Sequence, residues 1–169
     1  MRDQDMRWTR WLALSALVVA ADVATKAWVS RAFMPGEVRE VTGFFNLVLT
    51  HNTGAAFSFL AGAGGWQRWF FTAIAIGISI AIVVLLSRQR SDAWLSAALA
   101  LVLGGALGNL YDRLTLGEVV DFVQLHAGGY YWPAFNVADS AITVGVAFLV
   151  WDSLRTRRAP RPAPQERTR

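Results

Sequence analysis

The sequence predicts an integral membrane protein, mainly α, with four transmembrane helices and a small β portion in the connections on one side. Three observations carry that prediction. Hydrophobic residues make up 54% of the 169 positions and charged residues only 17%, which is more apolar than an ordinary soluble domain. Four apolar runs, residues 11–29, 66–86, 93–110 and 137–154, each approach the ~20 residues that cross a hydrocarbon core as helix. Arginines flank these runs on one side: Arg2, Arg7 and Arg10 precede the first, Arg88 and Arg90 join the second to the third, and Arg155, Arg157 and Arg158 follow the fourth. The positive-inside rule makes that side cytoplasmic. Both termini are then inside, and residues 30–65 and 112–136 form two outer connections.

The formal charge of +4 does not point to nucleic acid, because the basic residues cluster between apolar runs and at the ends and form no patch interleaved with aromatics. Cysteine is absent, which removes a thiol nucleophile, thiolate metal sites and palmitoylation from consideration. The chemistry rests on oxygen and nitrogen groups.

Taken in order, the first run has a basic start and small residues near 18–21, which fits a cleavable secretory signal as well as a permanent helix. Three further apolar runs favour the permanent helix, since cleavage would separate the chain from it. Residues 40–50 are rich in β-formers, among them Val41, Phe44, Phe45 and Val48, and Asn52-Thr53-Gly54 supplies a turn, so a strand or two is expected there. Residues 119–126, Gly128-Gly129 and residues 130–132 read as strand, tight turn and strand, ended by Pro133. The fourth run is the weakest span, with Asp139 near its start and Asp152 near its end. Residues 1–154 form a single membrane domain, and the Arg- and Pro-rich residues 155–169 read as a disordered cytoplasmic tail.

Charged groups in or beside membrane spans are costly, so they are the candidates for function. Asp22 and Lys26 lie four residues apart on one helix face, where opposite charges meet; Lys26 is the only lysine in the chain, and a structural ion pair is the expected role. At the end of the third run, Gly104, Gly105 and Gly108 permit close helix approach, and Asn109, Asp112 and Arg113 follow. Arg113 serves equally as an interfacial anchor paired with Asp112. Asp121 falls in a predicted strand and Asp139 at the outer end of the fourth helix, so both lie on one side at similar depth. Asn136 is better placed than Asp139 to cap that helix. Two carboxylates in a water-poor site share one proton, so that one activates water and the other polarises an amide carbonyl, the chemistry of an aspartyl peptidase. Which of the two holds the proton stays open. His51 and His126 lack the helical pair with glutamate of a zinc peptidase and read as satisfied loop residues. Ser58 and Ser140 lack a nucleophile-elbow pattern.

Five motifs complete the reading: Asp22-Val23-Ala24-Thr25-Lys26, His51-Asn52-Thr53-Gly54-Ala55-Ala56-Phe57-Ser58, Gly104-Gly105-Ala106-Leu107-Gly108-Asn109-Leu110-Tyr111-Asp112-Arg113, Val119-Val120-Asp121-Phe122 and Trp132-Pro133-Ala134-Phe135-Asn136-Val137-Ala138-Asp139-Ser140. In this order the chain resembles the lipoprotein signal peptidases (signal peptidase II). The resemblance implies four membrane helices with an extracytoplasmic β-cradle, in the bacterial cytoplasmic membrane. It implies an aspartyl endopeptidase that cuts prolipoproteins on the N-terminal side of a diacylglyceryl-modified cysteine, using no metal or organic cofactor and no obligate protein partner. Asp121 and Asp139 are the implied catalytic dyad. Asn52, Gly54, Asn109, Arg113 and Asn136 line or support the site, and Asp22, Lys26 and Asp112 are supporting polar residues. The rivals are a small ion- or proton-coupled transporter, which would also concentrate Asp22, Lys26, Asp112 and Asp139 in its spans, and a lipid-binding assembly protein.

Overall fold

The computed structural model describes residues 2–54, 64–89 and 92–157, with side chains from residue 8 to residue 155 of these. Helices α1 (Arg2–Ala32), α2 (Trp66–Arg88), α3 (Ala93–Thr115) and α4 (Val137–Arg157) alternate with strands β1 (Val38–Thr42), β2 (Phe45–Asn52), β3 (Val119–Ala127) and β4 (Tyr130–Tyr131). Each of the four helices is long and apolar enough to cross a membrane.

The expected runs are all present, and the helices extend past them. Helix α3 continues to Thr115, so Asn109, Asp112 and Arg113 are all helical and the second outer connection begins later than the apolar pattern suggests. Its end is set by Gly117, whose φ of 88° and N–H bonded to the Asp112 carbonyl oxygen turn the chain out of the helix. Helix α4 runs to Arg157, three residues into the segment read as tail; residues 158–169 lie outside the described residues. Polar side chains do not by themselves stop a helix whose backbone bonds continue.

Helix α3 is the centre of the bundle. It packs most extensively on α4, then on α1 and α2, and its apolar stretch is the most buried of the four spans. Glycine makes this possible. A Cβ on Gly104 would lie 2.7 Å from Val18 Cβ of α1, and one on Gly105 would run into the Ala138 carbonyl oxygen of α4. Of residues 18–21, Val18 thus faces a helix neighbour, while Ala20 and Ala21 are exposed. Helix α2, by contrast, turns Ile74, Ile76, Ile78, Ile80 and Leu85 outward, as a helix hydrophobic on all sides does when lipid is its solvent.

The strands form one antiparallel sheet in the order β1-β2-β3-β4. The segment expected to hold a strand or two holds β1 and β2. The β3–β4 hairpin turns through Gly128 and Gly129 at φ 57° and 82°, both left-handed as a tight two-residue turn requires. Leu49, Val120 and Phe122 of the sheet bury against Val29 and Phe33 at the end of α1. At ~1.5–3 kcal/mol for each large apolar side chain removed from water, that contact seats the sheet on the bundle. The register between β2 and β3 shifts between Leu47 and Thr50, which sets Thr50 opposite Asp121.

Candidate active site

Asp121 is carried by β3 and is 2% exposed. Asp139 lies in the first turn of α4. The two converge on Asn136, which immediately precedes α4. The Asn136 side-chain oxygen accepts the Asp139 N–H at 2.9 Å, and the Asp139 carboxylate accepts the Asn136 N–H at 3.3 Å, a reciprocal cap of the kind that closes helix N-termini. Asn136 is the helix cap expected, and Asp139 shares in that cap as its return partner. The Asn136 amide nitrogen meanwhile donates to Asp121 Oδ1 at 2.7 Å, with the Val120 carbonyl and Asn109 Oδ1 each at 3.2 Å.

Two more asparagines point the same way. Asn52, at the end of β2, accepts the Gly54 N–H on its oxygen at 2.9 Å and donates to Asp121 Oδ2 at 3.1 Å. Asn109 accepts from Lys26 Nζ at 3.1 Å and donates to Asp139 Oδ1 at 2.8 Å. In all three cases the amide oxygen faces a group that can only donate, a backbone N–H or an ammonium. That settles the orientation of each amide, and every NH₂ is turned toward a carboxylate.

Beneath this layer lies a buried charge cluster. Lys26 Nζ is 2.7 Å from Asp22 and 2.9 Å from Asp112, so the pair expected within α1 is present and is joined by a third member. Asp22 also accepts the Ala138 N–H at 2.9 Å, and Asp112 accepts the Val120 N–H at 3.1 Å. Removing Lys26 from such a cluster leaves buried carboxylates without their counter-charge, at a cost in desolvation. The pairing of Arg113 with Asp112 does not occur: Arg113 donates to the carbonyl oxygens of Gly54 at 3.2 Å and Asn109 at 3.3 Å, and its guanidinium lies over the Phe71 ring. Arg113 thereby ties the described end of the first outer connection to α3, and its charge acts on Asp139 and Asp121.

Electrostatics separates Asp121 from an ordinary carboxylic acid. Burial, reinforced by the negative charge of Asp139, pushes its pKa up to about 7, against the opposing pull of the Asn52 and Asn136 amides and of Lys26. A cleft of about 330 Å³ opens beside it, bordered by Thr50, His51, Asn52, Gln124 and Pro133. A larger groove of about 760 Å³ runs between α1, α2 and α3, but its lining is hydrocarbon and includes neither aspartate; the smaller cleft is the one that meets the chemistry.

Gly54 takes part through its backbone. Residues 55–58 of its motif, Ser58 among them, lie outside the described residues. Ser140 donates back to the Asn136 carbonyl at 2.9 Å. Both histidines sit in strands and not in loops: His126 bonds Asn46 at 3.2 Å and stacks on Tyr131, while His51 borders the cleft. Among the described residues, no group of three or more His, Asp or Glu side chains is arranged to hold a metal ion. Sequence reasoning missed Gln124 at the cleft, Phe71 under Arg113 and the N–H groups of Val120 and Ala138. None of these carries a local signal, since each is defined by a partner distant in the chain.

Comparison with known proteins places the chain and its fold. A family model described as signal peptidase (SPase) II matches residues 14–155. The lipoprotein signal peptidase of Burkholderia thailandensis is 52% identical over 151 residues, covering 89% of this chain and 91% of that protein. That of Ralstonia nicotianae is 53% identical over 148 residues, covering 88% and 86%. Two bacterial membrane enzymes solved by the in meso method share the fold. One, at 2.3 Å resolution, superposes with a TM-score of 0.81 at 32% identity over 92% of this chain and 94% of its own. The other, at 1.9 Å, gives 0.76 at 34% identity over 87% and 94%. Four apolar helices with an antiparallel sheet against their ends therefore have a family: the chain is a multi-pass membrane protein that belongs to the signal peptidase II family.

Proposed function

We propose that this protein is an intramembrane aspartyl endopeptidase that removes signal peptides from diacylglyceryl-modified prolipoproteins, cutting on the N-terminal side of the lipidated cysteine, with Asp121 and Asp139 as its catalytic pair. The observation that carries the reading is the convergence of a strand aspartate and a helix aspartate on Asn136, beside an open cleft.

The chemistry follows from the two environments. Asp121, held near neutrality between its acid and base forms, supplies the proton that polarises the scissile carbonyl. Asp139 takes a proton from water as the water oxygen bonds to the carbonyl carbon. Collapse of the tetrahedral intermediate breaks the C–N bond, the leaving amine receives the proton from Asp139, and the carbonyl proton returns to Asp121. The pair ends as it began, with Asp121 protonated and Asp139 ionised, and one water is consumed.

A lipidated cysteine lies near the outer leaflet of the bacterial cytoplasmic membrane, and the arginine distribution supports a topology with both termini inside and the aspartates at that depth. The membrane lipid is then the medium from which substrate arrives. The transporter alternative rests on Asp22, Lys26, Asp112 and Asp139; the first three pair with one another as buried ions and Asp139 belongs to the pair at Asn136, so the site gives that alternative no separate support. Purified protein in detergent, incubated with a diacylglyceryl-modified prolipoprotein, is expected to yield a shorter lipidated product, and the unmodified precursor is expected to stay intact. Failure to cut the modified precursor refutes the reading.

A further inference from the structure

Lys26 forms its ion pairs with Asp22 and Asp112 and with neither aspartate of the pair, acting on Asp121 only through its charge. Its ammonium has three oxygens within reach: Asp22 Oδ2 at 2.7 Å and Asp112 Oδ2 at 2.9 Å as ion pairs, and Asn109 Oδ1, to which it donates a hydrogen bond at 3.1 Å. The first two acceptors account for a structural ion cluster. The third does not belong to it, because Asn109 is neutral and turns its other end to Asp139 at 2.8 Å.

An amide side chain can rotate by half a turn with little change of shape, exchanging its NH₂ for its oxygen. At Asn109 the two orientations are chemically opposite. With the NH₂ toward Asp139 the carboxylate gains a donor; with the oxygen toward Asp139 two acceptors face each other. An ammonium carries only donors, so Lys26 tolerates the first orientation alone. Asn136 also approaches Asn109 Oδ1, at 3.2 Å, but the two hydrogens of its amide are shared among Asp121, Val120 and Asn109, with Asp121 nearest. Of the two described donors to that oxygen, Lys26 is the nearer and the charged one.

We propose that Lys26 is a positioning residue for peptide cleavage: through Asn109 it fixes which face of an amide Asp139 meets, and so keeps that carboxylate oriented for the attacking water. The inference rests on the reading of Asp139 as a member of the catalytic pair. It extends the part of Lys26 beyond charge balance, since a cluster of Asp22, Lys26 and Asp112 alone needs no contact with Asn109. Asp139 is otherwise surrounded by the Asn136 N–H, the charge of Arg113 and the carboxyl of Asp121, none of which discriminates between the two Asn109 orientations.

The test separates positioning from folding. In a background of Asp22→Asn and Asp112→Asn, Lys26→Met removes the ammonium without stranding a carboxylate, and each asparagine keeps an oxygen for the Ala138 or Val120 N–H. Relative to that background, Lys26→Met is expected to lower kcat about tenfold or more while KM stays within about threefold. Combined with Asn109→Ala it is expected to cost nothing further, because both changes break one relay; effects that multiply, as two independent or purely structural losses do, would overturn the proposal. Asn109→Ala in the otherwise unaltered protein keeps both ion pairs and answers even where the triple variant does not fold: it is expected to lose kcat similarly with KM retained, and unchanged kcat would overturn the proposal. Asp139→Asn, assayed in parallel, isolates the underlying reading. If Asp139→Asn still cuts, the catalytic pair is wrong; if it is inactive while Asn109→Ala is unaffected, only the positioning inference fails.

Discussion

Asp121 is held 2.7 Å from the amide nitrogen of Asn136, the residue that caps the helix carrying Asp139. One side chain therefore sets the position of a strand aspartate and of a helix aspartate together, and the pair behaves as a unit.

Asparagine has nearly the shape of aspartate but cannot exchange a proton as a carboxyl group does. Asp121→Asn and Asp139→Asn should each lower cleavage by about 10³-fold or more, within the range for losing a general acid or base. The double variant should be little worse than either single one. Gel or fluorescence assays of prolipoprotein cleavage read both effects, and a normally folded single variant that cuts at near wild-type rate sinks the assignment.

The raised pKa of Asp121 fixes the sign of a pH dependence. Its value in the folded protein, about 7, lies above its ordinary 3.8, so between these values the folded state holds a proton that the unfolded chain has released. The stability from this group is complete below the ordinary value and is lost as pH rises through 7. Cleavage that needs protonated Asp121 should follow, with kcat/KM falling about tenfold per unit on the alkaline side. A flat profile from pH 6 to 9 contradicts this.

Close helix packing makes a paired prediction. A methyl on Gly105 meets the Ala138 backbone oxygen, whereas one on Gly77 meets nothing within 4 Å. Gly105→Ala should destabilise the protein by ~1–3 kcal/mol as overpacking does, while Gly77→Ala should be neutral or stabilising by up to ~1 kcal/mol through helix propensity. Thermal unfolding in detergent compares the two, and equal melting temperatures count against the packing.

Orientation can be read by labelling. Phe44 lies exposed at the turn between β1 and β2, and Gln89 ends α2 on the arginine-rich side. In this cysteine-free chain, Phe44→Cys should react with an impermeant thiol reagent added to intact cells, and Gln89→Cys should not. The opposite pattern reverses the topology.

The helices were legible because membrane-length apolar runs carry their own signal, and the hairpin because Gly128-Gly129 sits between β-formers. Asp22 with Lys26 was legible too, from spacing on one helix. Asp112 as the second partner of Lys26 was not, since the contact joins α1 to α3 and its rival, Arg113, is adjacent in sequence. The double duty of Asn136 was half visible: a cap can be read from position, but a bond to Asp121 depends on where β3 docks. Periodicity reports which face of an element is buried and is silent about what it is buried against.

The bond from the Ala138 N–H to Asp22 joins α1 to α4, the earliest and the latest of the four described helices to be synthesised. Until α4 has left the ribosome and entered the membrane, the emerging chain holds Asp22, Lys26, Asp112 and Asp121 but neither Asn136 nor Asp139. With Asp121 and Asp139 as the proposed pair, competence is expected to arrive in a single late event of biogenesis, and a chain that ends before α4 is expected to be inert, with no half-built protease loose in the bilayer.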